Sequence, residues 1–169
     1  MKTLVIHPTD STTDFLKNIY SERGWTVINT NPSTKLLKQQ IKDHDRIIML
    51  GHGSDKGLFG FNRMLIDSTL VYLLREKICV CVWCNADKFV ENYKLKGFYT
   101  GMIISEYEEA LMYCVKASID TLDESNILLA NVIRYAIESK DILLEAKLRY
   151  TSKTNYVIMF NEQNLFHTS

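Results

Sequence analysis

Two apolar runs, Arg46-Ile47-Ile48-Met49-Leu50 and Ile78-Cys79-Val80-Cys81-Val82-Trp83-Cys84, constrain this chain more than anything else in it. Neither alternates apolar with polar residues, so both pleat faces of each strand need apolar cover. Strands of that kind belong to parallel sheets whose right-handed crossovers lay helices on both faces. The expected fold class is therefore α/β, a three-layer α/β/α sandwich around a mainly parallel sheet of about six strands.

The segments around these runs supply the crossovers. Lys2–Ile6 reads as a first buried strand, and His7-Pro8-Thr9-Asp10-Ser11-Thr12 ends it with helix-capping oxygens. Phe15, Leu16, Ile19 and Tyr20 then recur at helical spacing up to Gly24. Trp25–Ile28 is a second strand, Asn31-Pro32-Ser33 a turn and N-cap, and Leu36, Leu37, Gln40 and Ile41 a second helical face. The run at 46–50 ends in the polar loop Gly51-His52-Gly53-Ser54, after which Asp67 or Ser68 caps a helix carrying Leu70, Val71, Leu73 and Leu74. Asn85-Ala86-Asp87 opens a short helix after the second apolar run. The pattern then predicts a loop from Gly97 to Gly101, a fifth strand over Met102-Ile103-Ile104-Ser105 and a helix from Glu106 through Ala117. A helix capped by Asp123, a helix from Lys140 to Tyr150 and a last strand over Tyr156–Phe160 complete the chain. No repeat, low-complexity tract or linker divides it. Residues 1–169 are expected to form one domain, which at this length buries ~70% of the surface its unfolded chain exposes.

Composition narrows the partners. Twenty basic residues balance twenty acidic ones, so no overall field draws the chain to a nucleic acid polymer or an anionic membrane. No stretch reaches the ~18 apolar residues of a membrane span, and the first strand shows no signal-peptide core. The expected location is cytoplasmic, with Cys79, Cys81, Cys84 and Cys114 as reduced thiols. A peptide or small-molecule ligand is the expected partner, homo-oligomerisation is open, and neither cofactor nor metal is called for.

In such a sheet the carboxyl ends of the strands gather along one edge, where ligands bind. That edge is expected to hold His7 to Thr12, His52 to Asp55, Cys84 to Asp87 and Ser105 to Tyr107. His52 lies between two glycines, which leave its imidazole uncrowded. Cys84 ends its strand where a helix begins, and the positive end of a helix dipole lowers a thiol pKa. A Cys beside a His suits acyl transfer: the imidazole accepts the thiol proton and later protonates the leaving amine, while backbone N–H groups, here of Gly53 and Cys84, stabilise the oxyanion.

The order of these pieces resembles that of caspase-like cysteine peptidases, metacaspases included. The matching segments are Ile47-Ile48-Met49-Leu50-Gly51-His52-Gly53-Ser54, then Val80-Cys81-Val82-Trp83-Cys84-Asn85-Ala86, then Gly101-Met102-Ile103-Ile104-Ser105-Glu106, within residues 2 to 117. The resemblance rests on element order more than on identity. It implies His52 as general base and Cys84 as nucleophile of a cysteine-peptidase-like hydrolase. Asn85-Ala86 follows the cysteine where the family more often has Arg-Gly or Ser-Gly, and no acidic residue immediately precedes it, which removes the usual basis for a cleavage preference.

Other readings stand beside this one. A Cys in an apolar strand is often a small buried hydrophobe, the reading taken for Cys79 and Cys81 and the alternative for Cys84. Cys81 and Cys84 have redox-motif spacing, but residues three apart on a strand face opposite ways. The cysteines lack paired-knuckle zinc spacing. No Gly-x-Gly-x-x-Gly or Walker sequence is present. The alternative function is a non-catalytic protein that holds a phosphate-bearing, nucleotide-type signalling ligand in the same crevice. His7, Asp10, Ser11, Thr12, His52, Ser54, Asn85 and Glu106 are its candidate ligand-binding residues.

Overall fold

The structure is a computed structural model that describes residues 1–169. The chain forms nine strands: β1 Thr3–Ile6, β2 Thr26–Ile28, β3 Arg46–Leu50, β4 His52–Ser54, β5 Gly57–Gly60, β6 Arg63–Ile66, β7 Ile78–Val82, β8 Lys96–Thr100 and β9 Leu165–Thr168. Six of them form one sheet in the order β2-β1-β3-β7-β8-β9, parallel throughout except for the antiparallel edge strand β9. The other three form a small antiparallel sheet, β4-β5-β6.

The strand period of two decides which residues face which helices. Leu4, Ile6, Ile47, Met49, Cys79 and Cys81 point to one face, where they pack with Leu37 and Ile41 of α1 (Thr34–Asp43), Val71 and Leu74 of α2 (Val71–Leu74), and Phe89 and Val90 of α3 (Ala86–Tyr93). The intervening Val5, Ile48, Leu50, Val80 and Val82 point to the other face. There they meet Leu16 and Ile19 of the 3-10 helix Ser11–Ile19 and Leu129 and Ile133 of α5 (Ile119–Ala136). Ala146 of α6 (Ile142–Arg149) and Ile158 of α7 (Tyr156–Glu162) complete that layer. This is the expected α/β sandwich, and no helix in it is long and apolar enough to cross a membrane.

Several elements depart from the sequence pattern. Lys96–Thr100, expected largely as loop, is the fifth strand of the main sheet, and Met102–Ser105 is a loop leading into α4 (Tyr107–Met112). Helix α4 stops well before Ala117, and α5 starts at Ile119 behind an Ser118 N-cap instead of at Asp123. Tyr156–Phe160 is helical because the Asn155 side chain accepts hydrogen bonds from the N–H groups of Val157 and Ile158, which caps a helix and excludes a ladder. The segment after His52 is a meander. Phe61 and Asn62 both have positive φ, the requirement of a two-residue type I′ hairpin between β5 and β6.

His7, at the end of β1, is 1% exposed. Its Nδ1 lies 3.0 Å from the Tyr20 hydroxyl and its Nε2 3.2 Å from Thr13 Oγ1. Burial, with the Lys17 ammonium adding to it, lowers its pKa from 6.5 to about 4. The unfolded chain therefore takes up this proton below pH 6.5 and the folded one only near 4, so protonation favours unfolding in that window. Urea denaturation should show about 3 kcal/mol of stability lost between pH 7 and pH 4, with the step absent in His7→Gln.

Candidate functional site

The parallel pairing of β3 with β7 sets Leu50 opposite Val82, and the Gly51 N–H continues it with a 3.1 Å bond to the Val82 carbonyl. His52 and Cys84 each follow that pair by two residues, so they leave adjacent strands at the same level. They line one crevice with Phe15, Ile103 and Ser105. Its volume is about 20 Å³, room for roughly one water. On the far side, His52 borders a second cavity of about 280 Å³, lined also by Pro8, Asp10, Phe59, Phe61 and Asn62.

Trp83 fixes the geometry between the two residues. Its indole N–H donates to the Ser54 carbonyl at 3.0 Å, tying the end of β7 to β4. The ring packs against Gly53, where a Cβ would collide with the indole and stand 2.5 Å from the Gly57 carbonyl oxygen. Gly53→Ala should therefore displace the indole and lower stability by about 2 kcal/mol or more, measurable as an earlier urea midpoint with altered Trp fluorescence.

His52 is held from the 3-10 helix. Its Nε2 lies 2.6 Å from Thr12 Oγ1 and 3.7 Å from Asp10 Oδ1. Asp10 is the N-cap: its Oδ1 accepts from the Thr12 N–H at 2.9 Å and from the Thr12 hydroxyl at 2.6 Å. These two bonds lower the Asp10 pKa, the hydroxyl contributing most. Nδ1 of His52 has no hydrogen-bond partner in the chain.

Cys84 is half-buried. Its thiol donates to the Ile103 carbonyl at 3.4 Å and approaches Glu109 Oε1 at 3.9 Å. The other Glu109 oxygen accepts from the N–H groups of Ser105 and Glu106 at 2.7 and 3.1 Å, which anchors the carboxylate against the thiol. Burial first, then the Glu109 charge, raises the Cys84 pKa from 9.0 to about 11. This corrects the expectation that the following helix lowers it. Asn85 takes a left-handed conformation between Cys84 and α3, and burial beside a carboxylate outweighs a two-turn helix. The Cys84 N–H donates to no group in the chain, whereas the Asn85 N–H is taken by the Gly101 carbonyl at 3.1 Å. Gly53 sits within β4 opposite Leu58.

The remaining candidates separate. Asp10 and Thr12 meet His52. Glu106 comes within electrostatic reach of it, and burial followed by the neighbouring Glu109 charge raises the Glu106 pKa. Ser11 is exposed on the 3-10 helix. Ser54 uses its carbonyl for Trp83 and its hydroxyl for the Lys56 N–H. His7 is closed into the core, away from solvent. Cys79 and Cys81 are buried and Cys114 is exposed. No group of three or more His, Cys, Asp or Glu side chains is placed to hold a metal ion.

Sequence reasoning missed Glu109, which lies inside the helix expected from Glu106, and Trp83, which lies inside the second apolar run. Glu109 had a signal: it follows the edge residue Ser105 by four positions, the reach of a helical side chain back to a capped turn. Comparison of the chain with protein-family models, with curated proteins and with solved structures returns no match.

Proposed function

We propose that this protein is a cysteine-peptidase-like hydrolase, of the caspase-like kind, that uses Cys84 as nucleophile and His52 as general base. The observation that carries the reading is the β3–β7 register, which delivers both side chains to one crevice from adjacent strands. Three further features support it. The His52 ring is anchored at Nε2, Nδ1 is free to take a proton, and the uncommitted Cys84 N–H is available to an oxyanion. The succession of β3, His52, β7 and Cys84 keeps the order of the first two segments that carry the resemblance, whereas the third, Gly101–Glu106, is a loop, the strand before it being β8.

In the reaction, the Cys84 thiol proton passes to His52 as sulfur attacks the substrate carbonyl. The imidazolium then gives that proton to the leaving amine, and water hydrolyses the thioester. With a thiol pKa near 11, the proton leaves in concert with attack; no thiolate is stored beforehand. The crevice holds only about one water, so a substrate carbonyl reaches Cys84 only as the crevice widens, with the rest of the substrate lying outside it. The phosphate-ligand alternative is weaker on electrostatic grounds, since the Thr12 hydroxyl that would bind the anion is bonded to the Asp10 carboxylate, and Glu106 adds a second negative charge within reach of His52.

The test is incubation with a diverse synthetic peptide library, read by mass spectrometry, for wild type, Cys84→Ala and His52→Ala. Cleavage by wild type that disappears in both variants, with their circular dichroism unchanged, is expected. Absence of cleavage by wild type, or equal cleavage by Cys84→Ala, overturns the reading.

A further inference from the structure

The bonds around Thr12 determine where the His52 proton sits. Thr12 Oγ1 stands 2.6 Å from two groups, Asp10 Oδ1 and His52 Nε2, and a hydroxyl has one proton to give. An ionised carboxylate only accepts, so the Thr12 proton points to Asp10. The hydroxyl oxygen is then the acceptor for His52, and Nε2 must carry a hydrogen. We infer that Asp10 and Thr12 form a positioning relay that fixes His52 as the Nε2–H tautomer and turns the Nδ1 lone pair into the base.

The inference rests on the proposed hydrolase for its catalytic meaning, though the tautomer is a property of the resting protein. Thr12 and Asp10 are positioning residues that touch neither substrate nor sulfur. No proton travels along the relay: Nδ1 takes the Cys84 proton, Nε2 keeps its own, and the imidazolium that results lies 3.7 Å from the Asp10 carboxylate. That charge is fixed before the reaction starts, because the Thr12 N–H and hydroxyl hold Asp10 at the helix N-cap. Glu106, in the loop before α4, is a second acidic group within electrostatic reach of the imidazole. The sequence contains the relay in Asp10-Ser11-Thr12, which reads as simple helix capping until β4 brings His52 against it.

Nitrogen-15 NMR of the histidine rings tests this without any substrate. In wild type at a pH where the ring is neutral, His52 should show a bonded Nε2–H, protected from solvent exchange, with Nδ1 unprotonated. Thr12→Ser should preserve that signal, Thr12→Val should lose the protection, and Asp10→Asn should weaken it. An Nδ1–H tautomer in wild type, or Thr12→Val with unchanged protection, overturns the relay. The peptide-library result bears on the hydrolase alone: a fixed Nε2–H tautomer without cleavage would leave the relay standing and the proposed reaction refuted.

Discussion

Iodoacetamide should alkylate Cys84 slowly at pH 7 and progressively faster up to about pH 11, read by peptide mass spectrometry against the exposed Cys114. The magnitude follows from the thiol pKa. Moving it from 9.0 to about 11 cuts the thiolate population at neutral pH by about 100-fold, while the greater nucleophilicity of a more basic thiolate restores about tenfold. A net deficit of about tenfold remains, to which the narrow crevice adds. Glu109→Gln removes the second-largest cause of the shift while keeping an amide oxygen for the Ser105 and Glu106 N–H groups. It should speed Cys84 at pH 7 and move its pH profile toward lower pH, leaving Cys114 unchanged. A rapid, pH-independent Cys84 in wild type would mean a stored thiolate and contradict the account of the resting site.

The largest stability effect is expected at Asn161, far from Cys84 in sequence and coupled to it through one loop. Asn161 is fully buried. Its Oδ1 accepts the Ile104 N–H at 2.7 Å, and its amide donates to the Ile104 carbonyl at 2.8 Å and the Tyr150 hydroxyl at 3.1 Å. The same hydroxyl lies 2.7 Å from Ser125 Oγ, and burial raises the Tyr150 pKa to about 12. Asn161→Leu strands a backbone N–H and a carbonyl in the core, each costing about 1–3 kcal/mol, so the variant should lose about 3–5 kcal/mol in urea denaturation. It should also free Ile103, whose carbonyl holds the Cys84 thiol, and so raise the alkylation rate of Cys84 under conditions where the variant remains folded. A loss below about 1 kcal/mol would show that the network is not what holds the loop.

The central strands were legible because their requirement is unambiguous: apolar residues on both pleat faces need helices on both sides. From that followed the parallel sheet and the placement of His52 and Cys84 at one edge. Where a segment's structure depends on distant partners, its local pattern misleads. Gly97 made 97–101 read as loop, yet it sits in β8 with its missing Cβ giving way to the Cys79 carbonyl. Met102-Ile103-Ile104-Ser105 has strand composition, but Asn161 and Glu109 satisfy the backbone of Ile104 and Ser105 in place of a ladder. Tyr156–Phe160 is too short for periodicity to separate strand from helix, and its Asn155 cap decides.

At the candidate site, residue types brought His52 and Cys84 to one crevice but did not give its electrostatics. Helix-start position suggested an acidified Cys84, whereas a carboxylate 25 residues further along the chain acts the other way. His7 belongs to the same edge by sequence, but Tyr20 and Thr13 close it into the core.

The proposed Cys84–His52 dyad is tested most directly by acylation with p-nitrophenyl acetate at pH 7.5, following nitrophenol release together with intact and peptide mass of the protein. The account predicts an acetyl group on Cys84, formed slower by about 100-fold or more in His52→Ala, the span that general-base catalysis commands. Acetylation elsewhere, or a Cys84 rate unaffected by His52→Ala, would contradict it.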